Sequence, residues 1–337
     1  MGLRIMGTGG ALPARSVTND ELSAFLDTSD EWIRQRTGIR SRRVCTTETL
    51  DELAVLAAER AMEAAGVVAS DLDLILCTTT SGDHLIPSEA CAVQVGIGAS
   101  CPAFDISAAC AGFVYALDVA DGWFARGRAD CVLVVSAEKC TRIVDWQDRA
   151  TCVLFGDGAG AAVLGRGDGG LRSIRLATMG DLDALSLPGV IGSSPFDQTE
   201  RGPQVLSMQG HTVFKFGVTS IVREVRALAA DGGMKVGDID HFVFHQANDR
   251  ILDAAIRTLG IDSGRVVRTL AHTGNISSAC IPVALDALAR EGGLRDGDHV
   301  AIVGFGAGLC VGSCLIDWEP ARRPVVSPPP TQEQDGP

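Results

Sequence analysis

The sequence predicts an α/β fold assembled from two repeated halves, and three observations carry that expectation. Short apolar runs rich in Val, Ile and Leu alternate with Ala-rich stretches of helical period, the pattern of buried strands joined by helical crossovers. The order of these features recurs once along the chain, although residue identity between the halves is low. The length of 337 residues suits one large α/β domain or two of about 150 residues.

In the first half, 50–66 (LDELAVLAAERAMEAAG) reads as a helix closed by Gly66 as its C-cap. A strand follows at 72–79 (LDLILCTT). Next come a strand that ends at a cysteine and runs into a helix (102–127, PAFDISAACAGFVYALDVADGWFARG), a strand at 130–138 (DCVLVVSAE), and a Gly-rich turn opening a strand at 155–165 (FGDGAGAAVLG). In the second half a helix at 218–233 precedes HFVFHQAN (241–248), RVVRTLAHTGNISSACIPVALDALAREGG (265–293), HVAIVGF (299–305) and FGAGLCVGSCLI (305–316). The joint falls near 166–175, which divides the chain into halves at 1–170 and 171–319. The remaining 320–337 is Pro-rich and polar and reads as a flexible end.

Composition narrows the function classes. Apolar residues make up 46% and charged residues 21%, so most of the chain can pay the entropy of folding and disorder is excluded. The longest apolar runs, such as 131–137, fall far short of the roughly 18 residues that span a bilayer, so no membrane partner is expected. A net charge of −13 argues against a nucleic-acid surface. Eleven cysteines occur without a C-x-x-C pair, which suggests neither a zinc site nor a disulfide framework and fits a reduced, cytoplasmic compartment. The first residues, MGLRIMGTGGALPARS, lack the apolar core of a signal peptide. The histidines at 84, 211, 241, 272 and 299 show no metal-ligand spacing, so no metal is assigned.

Cys110 draws attention among the thiols because it follows the strand-like AFDIS and opens a helix. A helix N-terminus favours thiolate, and the small residues Ser107, Ala108, Ala109, Ala111 and Gly112 leave room for a substrate. The alternative is a buried structural cysteine. His245 closes the strand HFVFH at its carboxyl end, where α/β proteins build sites, and Asn275 lies in the turn that opens the counterpart of the Cys110 helix. Either could instead be a cap or a satisfied polar group. GDGAG (156–160) and GFGAG (304–308) lack nucleotide-loop spacing and read as tight turns, the second with amides able to serve as oxyanion donors.

With these residues in place, a family pattern emerges. VTNDEL and SDEWIRQRTGI near the start, DISAACAGF around Cys110, TRIVDWQDRATCVLFGDGAGAAVL, HQANDRI at His245 and HTGNISSA at Asn275 together resemble a type III β-ketoacyl-acyl-carrier-protein synthase over about residues 3–318. The resemblance implies the thiolase fold, duplicated α/β halves in a five-layered αβαβα sandwich, acting as a homodimer with ping-pong kinetics. It implies that Cys110 takes an acyl group from acyl-CoA, and that His245 and Asn275 promote decarboxylation of malonyl-acyl-carrier protein. The amides of Cys110 and Ala307 would cradle the oxyanions, with Phe305 as an aromatic wall. Acyl-CoA is then a substrate, and no cofactor is needed. CoA recognition would fall on Thr28, Trp32, Arg36, Arg149, Phe214 and Asn248, and docking of the acidic carrier protein on Lys215, Gln246, Arg250 and Arg257. Lys215 is one of only three lysines in the chain.

Departures from the pattern bear on substrate choice. Ile86 stands where some members place a Phe that caps the partner subunit's acyl pocket, so a roomier pocket and branched or longer starters are expected. GLCVGS replaces a Trp-containing turn, and 188–204 is an atypical loop. Two rivals are an acyltransferase of the same fold acting on an oxygen or nitrogen nucleophile, and a non-catalytic partner subunit. The intact Cys110, His245 and Asn275 set weighs against both.

Overall fold

The computed structural model describes residues 2–167, 169–189, 195–196 and 202–319. The flexible end expected at 320–337 and most of the 188–204 loop lie outside the described residues.

The first half runs β1 (Gly2–Ala11), β2 (Ser16–Thr18), α1 (Asn19–Ser23), α2 (Asp30–Thr37), β3 (Ser41–Arg43), α3 (Leu50–Ala65), β4 (Leu74–Thr78), α4 (Glu89–Ile97), β5 (Ala103–Ile106), α5 (Gly112–Ala125), β6 (Cys131–Lys139) and β7 (Asp157–Gly167). The second runs β8 (Leu171–Asp181), β9 (Leu185–Ser186), β10 (Ser207–Met208), α6 (Gly210–Asp231), β11 (His241–Phe244), α7 (Asp249–Leu259), α8 (Leu270–Thr273), α9 (Cys280–Arg290), β12 (His299–Gly306) and β13 (Gly308–Asp317). One sheet has the order β1-β7-β6-β4-β5 and the other β8-β13-β12-β11, with the parallel bridge Phe242–Val266 beyond its β11 edge. The two orders correspond strand for strand, with the Val266 bridge in the place of β5, as the duplication seen in the sequence implies.

Layering follows from strand alternation. In β4, Leu74 and Leu76 join a central core with Phe113 and Leu117 of α5 and Ile281 and Leu285 of α9. Ile75 and Cys77 point the other way, onto Ala54, Ala57, Ala58 and Ala61 of α3. In β12, Val300 and Ile302 face the same central helices, while Ala301 and Val303 face Ile221 and Val225 of α6 and Leu252 of α7. Each sheet is covered on both faces, hence the unbroken apolar runs. The result is five layers: α3 with α4, a sheet, α5 with α9, a sheet, α6 with α7.

Helix α3 carries a capping box from Thr49 and Glu52 and ends in left-handed Gly66 at φ 69°, as the sequence predicts. Its alanines let it lie close to β1, where a Cβ on Gly9 would sit 2.5 Å from Ala61 N. One expectation needs correction. Helix α6 begins at Gly210 rather than 218, and its first two turns place Val213 and Phe214 on the wall of a cavity. Strand β8 starts at Leu171, and as a largely exposed edge strand it lacks an apolar run to announce it. Among the described residues no helix is long and apolar enough to cross a membrane.

Candidate active site

Two tight turns bring the chemistry together. A 3-10 turn at Ala109–Ala111 leads into α5, and Ser277–Ala279 makes the same turn ahead of α9. The first residue of each is left-handed, Ala109 at φ 45° and Ser277 at φ 48°. Such strain costs about 1–3 kcal/mol at a non-glycine residue and persists only where packing enforces it. Cys110 and Ser278 occupy equivalent places, one at each corner.

Cys110 is buried, with its Sγ 3.4 Å from Ser277 Oγ. Gly306, at the end of β12, lies against it: an added Cβ would stand 2.9 Å from Cys110 N and 3.3 Å from its Sγ. Glycine here keeps a space open beside the thiol and the backbone amides. The next residue, Ala307, is held by Cys310, whose thiol donates to Ala307 O at 2.8 Å and approaches Ala108 O at 3.2 Å. The helix N-terminus favours thiolate, and burial opposes it. Burial pushes the Cys110 thiol up to about 12, outweighing the Ser277 hydrogen bond that lowers it.

His245 follows β11 and continues its ladder, donating N–H to Val303 O at 2.9 Å. It is 2% exposed, its ring meets Phe305 edge-on with centroids 5.2 Å apart, and among the described residues Nδ1 has no partner. Burial alone pulls its pKa down to about 3, so the imidazole is neutral. Asn275 is pinned to 154–156 by its own N–H to Leu154 O at 2.8 Å and by Gly156 N–H to its carbonyl at 3.0 Å. Its Oδ1 accepts the Ser277 N–H at 2.9 Å. A backbone donor at Oδ1 fixes the amide flip and leaves Nδ2 to serve as a donor.

Cys110, His245, Asn275, Phe305 and Ala307 line one cavity of about 380 Å³, together with Trp32, Arg36, Phe214 and Asn248. Its apolar wall includes Ile143, Leu187, Leu206 and Met208. Trp32 marks an outer end: the Arg36 and Arg149 guanidiniums lie 5.7 Å and 5.3 Å from its ring centroid. Arg149 also pairs with Asp27 at 3.1 Å. Thr28 is not on the cavity wall, and its Oγ1 is buried without a partner among the described residues. Asn248 caps α7 and donates from Nδ2 to Arg36 O at 3.0 Å, tying α7 to α2.

Lys215 on α6 and Arg250 and Arg257 on α7 are exposed, with the Arg250 guanidinium 5.9 Å from the Phe214 ring centroid. Gln246 must be removed from that docking face. It is 0% exposed, donates to Phe244 O and Val267 O, and accepts the N–H of Thr269 and Leu270. It is a backbone clamp. Ile86 is absent from its own chain's cavity wall and is 88% exposed.

Sequence reasoning passed over several residues of the site. Ser277 touches the nucleophile, Thr80 and Cys140 line the cavity, and Cys280 accepts Ile276 N–H at 3.2 Å with its Sγ 3.6 Å from Asn275 Oδ1. Arg42, 0% exposed, donates to Val153 O at 3.0 Å and braces the segment that pins Asn275. The Ser277 signal was present in the repeat, since it occupies the place of Ala109. Among the described residues no group of three His, Cys, Asp or Glu could hold a metal.

Comparison with known proteins agrees with this geometry. Residues 104–180 match the family model described as 3-oxoacyl-[acyl-carrier-protein (ACP)] synthase III, and residues 229–318 match its C-terminal model. A β-ketoacyl-[acyl-carrier-protein] synthase III from Xanthomonas campestris pv. campestris is 46% identical over 318 residues, covering 94% of this chain and 98% of that protein. One from Clostridium acetobutylicum is 42% identical, with the same coverage. Crystal structures of the Aquifex aeolicus 3-oxoacyl-[acyl-carrier-protein] synthase III and of the priming β-ketosynthase of the R1128 polyketide pathway each superpose with TM-score 0.87, at 39% and 38% identity. They cover 94% and 95% of this chain, and 100% and 97% of their own. The five layers are those of the thiolase fold. Sequence, fold and the cavity around Cys110 converge: the chain belongs to the β-ketoacyl-[acyl-carrier-protein] synthase III family.

Proposed function

We propose that the chain catalyses a decarboxylating Claisen condensation, joining an acyl-CoA starter to malonyl-acyl-carrier protein through an acyl-Cys110 intermediate. The observation that carries this reading is a thiol, a neutral buried imidazole and an oriented amide on the wall of one cavity.

In the first half-reaction the Cys110 sulfur attacks the thioester carbonyl. The amides of Cys110 and Ala307 take the oxyanion, and collapse expels CoA, whose sulfur receives the proton that Cys110 gives up. In the second, loss of CO2 from the malonyl thioester places charge on its carbonyl oxygen. His245 and Asn275 Nδ2 stabilise that enolate as neutral donors in a site shielded from water, and the carbanion attacks acyl-Cys110. The products are CO2, the 3-ketoacyl-carrier protein and, after a proton is taken up, the free thiol. A protonated imidazole would be a stronger donor, but burial denies it that charge near neutral pH.

CoA is assigned to Trp32, Arg36 and Arg149 for the nucleotide, with Phe214 and Asn248 along its path. The carrier protein docks on Lys215, Arg250 and Arg257. The active species is a homodimer in which Ile86, exposed in a single chain, closes the partner's acyl pocket. Eleven free cysteines fit a cytoplasmic setting. Because Ile is smaller than Phe, branched or longer starters are accepted beside acetyl.

Intact-protein mass spectrometry across a panel of acyl-CoAs tests the reading. One acyl adduct is expected, lost in Cys110→Ala, and on adding malonyl-carrier protein it is discharged with CO2 release. Absence of any adduct overturns the function, and a strict acetyl preference overturns the pocket argument.

A further inference from the structure

Glu138 is a carboxylate with 0% exposure at the seam between the halves, and it forms no ion pair among the described residues. Neutral donors hold it instead. Its Oε2 accepts Thr80 N–H and Thr80 Oγ1, each at 3.0 Å, and Ser81 Oγ at 2.6 Å. Its Oε1 accepts Ser278 Oγ at 2.8 Å and Ser278 N–H at 3.4 Å. Burying a carboxyl group is costly unless its lone pairs are filled, and here both oxygens are met.

Ser278 itself offers no chemistry. It has 0% exposure, does not line the cavity, and its hydroxyl also approaches Thr78 O at 3.2 Å. What it controls is its neighbour. Ser277, in left-handed conformation, gives the N–H that sets the Asn275 amide and the hydroxyl that touches Cys110. Glu138 grips the next residue by both backbone and side chain, which keeps that strained turn from relaxing.

We propose that Glu138 is a positioning residue, whose carboxylate locks the Ser277–Ser278 turn so that Asn275 Nδ2 faces the developing enolate. The inference rests on the decarboxylating reaction proposed above. It assigns Glu138 to the second half-reaction more than to the first, since Cys110 is placed by its own turn and by Gly306.

The test separates the half-reactions in Glu138→Gln and Ser278→Ala, with wild type in the same assays. Glu138→Gln turns one acceptor into a donor; hydroxyls can rotate to meet it, but the N–H groups of Thr80 and Ser278 cannot. Its kcat for condensation should fall about a hundredfold, the cost of a misplaced group. Acylation of Cys110 by acyl-CoA and the KM for malonyl-carrier protein should stay within about threefold. Ser278→Ala keeps the N–H contact and should shift the same ratio by about tenfold, which carries the test if Glu138→Gln does not fold. Equal slowing of both half-reactions, or no change in either, overturns the role of Glu138. A wild-type protein that acylates but releases no CO2 overturns the reaction instead.

Discussion

At the Ser278 corner every polar group is met: the hydroxyl by Glu138, and the nearby Thr78 hydroxyl by Ser136 at 2.7 Å. At the Cys110 corner the facing residue is Gly306, the thiol meets Ser277 Oγ at 3.4 Å, and among the described residues Nδ1 of His245 has no partner. The same backbone turn therefore serves opposite ends. One corner spends its hydrogen bonds on rigidity, and the other leaves donors and space for a substrate.

The largest way to break this contrast is to fill the gap. Gly306→Ala puts a methyl 2.9 Å from Cys110 N, and Cys110 acylation, read as CoA release, should fall by about 10²-fold or more. Near-normal acylation would show that the open space is not what distinguishes the corners.

A smaller effect sharpens the cost of the orphaned imidazole. The His245 pKa is about 3 in the folded chain against 6.5 for the free side chain, so between those values the unfolded state binds more protons. Stability is therefore full above the unfolded value and drains as pH falls toward the folded one. Denaturant unfolding at about pH 7 and about pH 5 should show wild type losing about 2 kcal/mol more than His245→Gln over that interval. Equal losses would contradict a buried neutral ring.

The smallest effect should leave both corners untouched. Reversing Lys215 and Arg250 to Glu should raise the KM for malonyl-carrier protein about tenfold at low salt, less at high salt, with Cys110 acylation unchanged. A KM independent of these charges moves the docking face elsewhere.

Much of this contrast was legible in the chain. Cys110, His245 and Asn275 stand where strand ends meet helix starts, and the repeated order of motifs places them on equivalent loops. The backbone turn at Ser277 was legible too, as the counterpart of Ala109. What the sequence hid is what depends on distant partners. Glu138 lies at the end of an apolar strand and meets Ser278 only in the fold. Gln246 follows the catalytic histidine and looks like surface, yet all its hydrogen bonds run inward. The thiolate expected of Cys110 followed from helix position alone, and burial, which pushes the thiol up, shows only in the fold. Edge strand β8 escaped because exposure removes the apolar run by which strands are read.

The contacts that hold the two corners together join residues far apart in the chain: 140 positions between Ser278 and Glu138, 167 between Cys110 and Ser277, and 202 between Cys310 and Ala108. Closing loops of that length is slow and is rewarded only when both ends have already formed. The catalytic centre is consequently among the last parts of the molecule to be completed during folding. Helices and the local strand pairs β6–β7 and β12–β13 can return while the enzyme stays silent, and recovery of activity after dilution from denaturant becomes a clock for the docking of one half onto the other.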